Sequence, residues 1–137
     1  MRDRWLFPPL VPRESLRPPV LAVAAHPDDE IIACGAMLAF HGRRGDAVTV
    51  VHATDGAGGD PQGRFGDVAR RRHEEGRRAL AVLSVTDVET WDLPDGQLAG
   101  SIELVPRVAD LFRRKAPRTL YAFSPLEYHP DHRAVGA

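Results

Sequence analysis

Cysteine is all but missing from this chain: Cys34 is the single one in 137 residues. That excludes an internal disulfide framework and a thiolate metal cage, so any metal would be held by nitrogen and oxygen donors, and a reducing compartment is expected. Neither sign of charge is in excess, with 18 basic side chains against 19 acidic ones and a net charge of −1. Without a basic field there is no electrostatic footprint for nucleic acid or an anionic membrane. No apolar run is long enough to cross a bilayer, and the short ones near the start are broken by proline and do not make a signal peptide. Cytoplasmic residence and a small or neutral partner are the resulting expectations. The glycine-rich stretch Asp55 to Asp60 lacks both G-x-G-x-x-G and a Walker lysine, which argues against a nucleotide loop. Glycines in that position suit a loop that covers a substrate.

What is present is enough for one domain. Residues 1–19 carry five prolines, Pro8, Pro9, Pro12, Pro18 and Pro19, each fixing φ and removing a donor, so an extended arm is expected before the domain begins at Val20. Val20 to Ala25, Ala47 to Ala53, Val88 to Trp91 and Thr119 to Phe123 read as buried parallel strands. Between them, Ile32 to Arg43, Val68 to Leu83 and roughly Leu104 to Lys115 have helical length, with Pro106 tolerable only in a first turn. Strand and helix alternate with short connections, the pattern of a Rossmann-like α/β fold: a three-layer sandwich around a mostly parallel sheet.

In such a fold ligands bind beyond the carboxyl ends of the strands. The polar clusters all fall there: His26, Asp28 and Asp29 after the first strand, Asp55 and Gly56 after the second, Asp92 and Asp95 after the third, His129 to His132 after the fourth. The opposite edge holds ordinary turn and charge residues. His26 and Asp29, three apart in a tight turn, can offer an imidazole nitrogen and a carboxylate oxygen to one ion, and His132 can supply a third ligand. Three protein ligands and an open position for water define a catalytic zinc site. Asp28, between two of the ligands, is placed to act as general base, and His129, if protonated, to stabilise the oxyanion of amide hydrolysis. Each cluster alone also reads as a turn or a helix cap. Asp131 is expected to orient an imidazole rather than bind metal. His41, His52 and His73 match no ligand position, and Cys34 reads as a small apolar helix residue.

AHPDDE at residues 25–30 and HPDH at residues 129–132 resemble the two signature motifs of the PIG-L/LmbE-like family of N-acetylglucosaminyl deacetylases. That family includes enzymes of mycothiol and bacillithiol synthesis and of the glycosylphosphatidylinositol pathway. Thr54-Asp55-Gly56, Arg72-His73-Glu74-Glu75 and Leu93-Pro94-Asp95-Gly96 fall in order between them. The resemblance implies Zn2+ on His26, Asp29 and His132, Asp28 as general base, and His129 as the cation that stabilises the oxyanion. It alone implies sugar contacts by Arg72 and Asp95, which otherwise read as a solvated helix face and a turn residue.

The expected partner is an N-acetylglucosamine-containing small molecule, with no nucleic acid or membrane, and assembly with further copies of the chain is left open. Few residues follow HPDH, whereas the resemblance implies a further helix and strands completing the sheet and one pocket wall, so a C-terminally truncated domain over residues 20–137 is expected. Two readings stand beside the deacetylase: a non-catalytic metal- or sugar-binding remnant, and a zinc amidase acting on a thiol conjugate or an antibiotic sugar.

Overall fold

A computed structural model describes residues 11–137, so Pro8 and Pro9 of the expected arm lie outside the described residues. The rest of the arm is not wholly extended. Pro12, with φ −60, opens a single 3-10 turn over Arg13–Ser15, and the Ser15 hydroxyl donates to Pro12 O at 2.6 Å.

Four parallel strands follow: β1 (Val20–Ala24), β2 (Val48–Thr54), β3 (Asp87–Leu93) and β4 (Thr119–Tyr121). Their order across the sheet is β3-β2-β1-β4. The connecting helices are α1 (Asp29–Arg44), α2 (Val68–Val82) and α3 (Leu104–Lys115), and a short α4 (Pro130–Gly136) follows β4. Because successive side chains of a strand point to opposite faces, β1 divides its apolar residues between two cores. Val20 and Ala22 pack with Leu38 of α1 and Leu80 of α2. Leu21, Val23 and Ala25 pack with Leu104 and Leu111 of α3 and, through partly buried Ala134 and Val135, with α4. Two helices thus cover each face, which is why β1 and β2 carry almost unbroken apolar sequences.

The path reverses once. Through α1 and α2 the chain moves outward from β1 to β2 to β3, and α3 then returns it to the other side of β1, where β4 pairs in the register Val20 with Thr119. The topological switch point therefore lies between β1 and β4, with the segment after β1 carrying AHPDDE and the segment after β4 carrying HPDH. A ligand crevice forms at that place because the crossovers diverge to opposite faces.

Local sequence sets the helix ends. The Asp67 carboxylate caps α2 by accepting from Arg70 N at 3.0 Å, and Gly45 ends α1 with φ 71. At the end of α3 the left-handed position is held by Ala116, with φ 42 and ψ 54. A Cβ in that region is unfavourable by about 1 kcal/mol. Ala116→Gly is therefore expected to stabilise the chain by about 1 kcal/mol in urea unfolding; a loss of stability would show that Ala116 is held by packing instead.

Candidate metal centre

At the end of β1 the chain leaves the sheet and turns back through Pro27 and Asp28 into α1. The Asp29 carboxylate closes this turn, with Oδ2 accepting from His26 N at 2.7 Å and lying 3.1 Å from His26 Nδ1. Its other oxygen, Oδ1, lies 3.3 Å from His132 Nε2. One carboxylate thus joins imidazoles from the two motifs. The His132 ring is fixed from behind by Phe123, stacked on it with centroids 3.9 Å apart and planes 7° from parallel. His129 stands beside both rings, with centroid distances of 4.8 Å to His26 and 4.9 Å to His132.

The far side of His26 is held by two further carboxylates. Its Nε2 lies 3.0 Å from Asp95 Oδ1 and 3.3 Å from Asp131 Oδ2. Asp131 is fully buried and accepts from Gly96 N at 2.7 Å and Leu98 N at 3.0 Å, so it ties α4 to the loop after β3. Burial works against a charged His26, but the Asp29 hydrogen bond and the charges of Asp95, Asp29 and Asp131 outweigh it, and the ring titrates above the ordinary histidine value. Burial likewise opposes the Asp29 carboxylate, and hydrogen bonds from His26 with the His26 and His132 charges overcome it, leaving Asp29 below the usual carboxylate range.

Among the described residues, donor atoms of His26, His129 and His132 lie within 4.8 Å of one another, as do those of His26, Asp95 and Asp131. In the second group Asp95 Oδ2 and both oxygens of Asp131 accept from backbone N–H groups and Asp95 Oδ1 faces His26 Nε2, so the group supports His26 rather than offering a separate site. The first group together with Asp29 fits a zinc ion by its chemistry, imidazole nitrogen and carboxylate oxygen, with the remote nitrogen of His26 oriented by carboxylates. Asp131→Asn is expected to weaken zinc binding about 10- to 100-fold, the usual effect of removing an orienting carboxylate. A competitive zinc titration measures it, and an unchanged affinity would remove Asp131 from the site's support.

The remaining expected site residues sit differently. Asp28 is exposed, its carboxylate pairs with Arg72 Nη2 at 3.0 Å, and it makes none of the contacts that join the cluster. Its backbone has φ 147 and ψ −24, a strained conformation for a residue with a Cβ. Arg72 is the inward-turned arginine of α2, while Arg70, Arg71, Arg77 and Arg78 are exposed. Its guanidinium also donates to Gly56 O at 2.8 Å and Pro27 O at 3.2 Å. Arg72 and Asp95 are thus both engaged within the protein.

Glu30 and its partner His52 are consequential although the spacing of ligand types nominates neither. Glu30, the last residue of AHPDDE, turns into the core, where Oε2 lies 3.2 Å from the buried His52 Nε2. The approach lacks the alignment of a hydrogen bond, and it ties the first turn of α1 to β2. A histidine in the middle of the apolar run VTVVHAT was the available signal. His41 is also buried, between Asp46 at 2.7 Å and Tyr121 OH at 3.0 Å. Burial and the Glu30 charge push the Cys34 thiol up to about 11, so it is no nucleophile.

A parallel α/β layer with a histidine–carboxylate cluster at its switch point defines a protein of the Rossmann-like class with a candidate metal site. The family model described as "PIG-L: GlcNAc-PI de-N-acetylase" matches residues 21–137, and the chain belongs to that family. It is 30% identical over 122 residues to the diacetylchitobiose deacetylase of Thermococcus kodakarensis, covering 85% of this chain and 46% of that protein. The structure of N,N'-diacetylchitobiose deacetylase from Pyrococcus horikoshii superposes with a TM-score of 0.79 at 29% identity, covering 85% of this chain and 46% of that one. A 4-oxalmesaconate hydratase of Pseudomonas putida is 29% identical over 119 residues, covering 82% of this chain and 46% of that protein. The chain therefore spans about half the length of these relatives.

Proposed function

We propose that this chain carries the metal-binding part of a zinc-dependent N-deacetylase that hydrolyses the N-acetyl amide of an N-acetylglucosamine-containing small molecule, releasing acetate and a free amine. The observation that carries the reading is the single Asp29 carboxylate held between His26 Nδ1 and His132 Nε2. The deacetylase relatives supply the reaction class.

His26, Asp29 and His132 would hold the ion, which when bound lowers the pKa of its water towards about 7 and polarises a carbonyl. Asp28, exposed at the rim, accepts a proton from the attacking water and returns it to the leaving amine. His129 Nδ1 accepts from Asp131 N at 3.2 Å, which places its proton on Nε2. From Nε2 His129 then donates to the developing oxyanion.

The test is to strip the chain of metal, titrate it with zinc, and follow acetate release from N-acetylglucosamine and N,N'-diacetylchitobiose. One zinc per chain with zinc-dependent acetate release is expected. Zinc binding without acetate release would overturn the enzymatic reading and leave a metal-binding domain. Hydration of 4-oxalmesaconate without acetate release would replace deacetylation with the reaction of the hydratase relative.

A further inference from the structure

We propose that Glu30 and His52 form a buried brace for the metal centre: they are positioning residues that set the place of Asp29, the carboxylate shared by His26 and His132. The inference rests on the metal-binding part of the proposed function and not on the amide chemistry.

Asp29 is the first residue of α1 and Glu30 the second. Their turn takes little guidance from the rest of the helix, because α1 is kinked at Cys34, where φ −139 and ψ 17 leave the helical region. Nor is the turn held by a side-chain cap. Asp28 occupies the N-cap position, but its carboxylate pairs with Arg72 and accepts no backbone N–H of the first turn. The Asp29 carboxylate closes the turn through His26 N, yet that is the group an ion would engage. Glu30 anchors the same turn from the core side, through atoms that belong to neither donor group.

The anchor point is firm. His52 lies in the fully buried β2, paired with Ala24 of β1, two residues before His26. Gly76 of α2 sits against both the ring and the motif's turn: a Cβ there would stand 3.0 Å from His52 Cε1 and 3.7 Å from Pro27 Cβ. The His73 ring stands alongside, with centroids 6.3 Å apart and planes 17° from parallel. Against this support Glu30 Oε2 is held 3.2 Å from His52 Nε2. Among the described residues, neither carboxylate oxygen of Glu30 and neither ring nitrogen of His52 has a hydrogen bond. Buried polar groups in that condition are costly to keep. Without His52, the Glu30 carboxylate has no polar neighbour of its own to hold it in the core, and its exit to solvent would swing Asp29 away from His132.

His52→Leu is therefore expected to weaken zinc affinity about 10- to 100-fold, the effect of losing an outer support of a ligand. It should also shift the absorption bands of Co2+ bound in place of zinc, since these follow ligand geometry. His52→Gln, which keeps a polar partner for Glu30, should retain most of the affinity. Adding Glu30→Met to His52→Leu should restore it, because an apolar pair of similar volume stays packed. Leu38→Ala is the control for general loosening. Leu38 is fully buried in the same helix beyond the kink, so its loss should lower Tm while leaving the zinc affinity and the cobalt bands unchanged. A reading without metal comes from amide exchange of Ile31 and Ile32, whose N–H groups donate to Asp28 O at 3.0 and 3.1 Å. His52→Leu should speed their exchange on the order of tenfold and leave the amides beyond Cys34 as they were.

Unchanged zinc affinity and cobalt bands in His52→Leu would overturn the brace. So would equal losses in Leu38→Ala, which would make the effect one of general loosening, or a loss that Glu30→Met does not restore, which would mean that His52 acts without Glu30. If the unaltered chain takes up neither ion, the metal-binding reading falls, and amide exchange alone decides whether Glu30 and His52 pin the turn.

Discussion

Replacing Asp28 with glycine is expected to leave the chain folded, slightly stabilised and able to bind zinc, while turnover falls by about 100-fold or more, the range contributed by a general base. The two effects have separate causes at one residue. With φ 147 and ψ −24, the Asp28 backbone lies at positive φ, where glycine is less strained than a residue with a Cβ, for which the conformation costs about 1–3 kcal/mol. Part of that gain is offset by the larger entropy of glycine in the unfolded chain and by loss of the contact with Arg72. Asp28→Asn keeps the strain and removes the base, so it should lose turnover without gaining stability. Thermal melts and acetate release measured on the two variants together give the answer. A glycine variant destabilised by more than about 1 kcal/mol would show that the conformation is not strained, and one that still turns over would remove Asp28 from the chemistry.

The second large effect concerns the metal. His132→Ala is expected to reduce zinc affinity on the order of a hundredfold or more. Binding free energies of about 10–16 kcal/mol distributed over four ligands put roughly 3 kcal/mol on each, and a ligand lost from a three-residue site has no substitute but water. Because an ion that binds only the folded chain stabilises it by mass action, zinc should raise the Tm of the unaltered chain and scarcely move that of His132→Ala at the same concentration. His73→Ala is the control, since His73 lies outside both donor groups and should leave the zinc response intact. An unchanged zinc response in His132→Ala would remove this residue from the ligand set, with His129 as its replacement on geometric grounds.

The sequence pattern and the fold agree best where burial is two-sided. Val20 to Ala25 and Ala47 to Ala53 read as strands because both faces are covered, and β1 and β2 fall within a residue of those bounds. β3 runs from Asp87 to Leu93, longer than Val88 to Trp91, because an edge strand pairs through its backbone while its exposed positions carry polar side chains. α1 begins at Asp29 rather than Ile32, its first turn made of the motif's own acidic residues. α4 was hidden for a different reason: with seven residues it is too short to show a period, and HPDH by itself reads as a turn. Among the site residues, types and spacing nominate His26, Asp29 and His132, which one carboxylate brings together. Spacing carries no information about side-chain direction, however, and that is why the inward turn of Arg72, the support of Asp95 behind His26, and the burial of Glu30 against His52 had to be seen in three dimensions.

The placement of the cluster at the switch point also has a meaning for assembly. His26 and Asp131 are 105 residues apart in sequence yet in contact, so the pocket does not exist until β4 has docked beside β1. Closing so long a loop is among the slower steps available to a chain of this size. A zinc ion arriving before that docking would find only one motif to bind, and a firmly held ion would act as a clasp between the segments after β1 and β4, its uptake a time stamp for the moment these two strands meet.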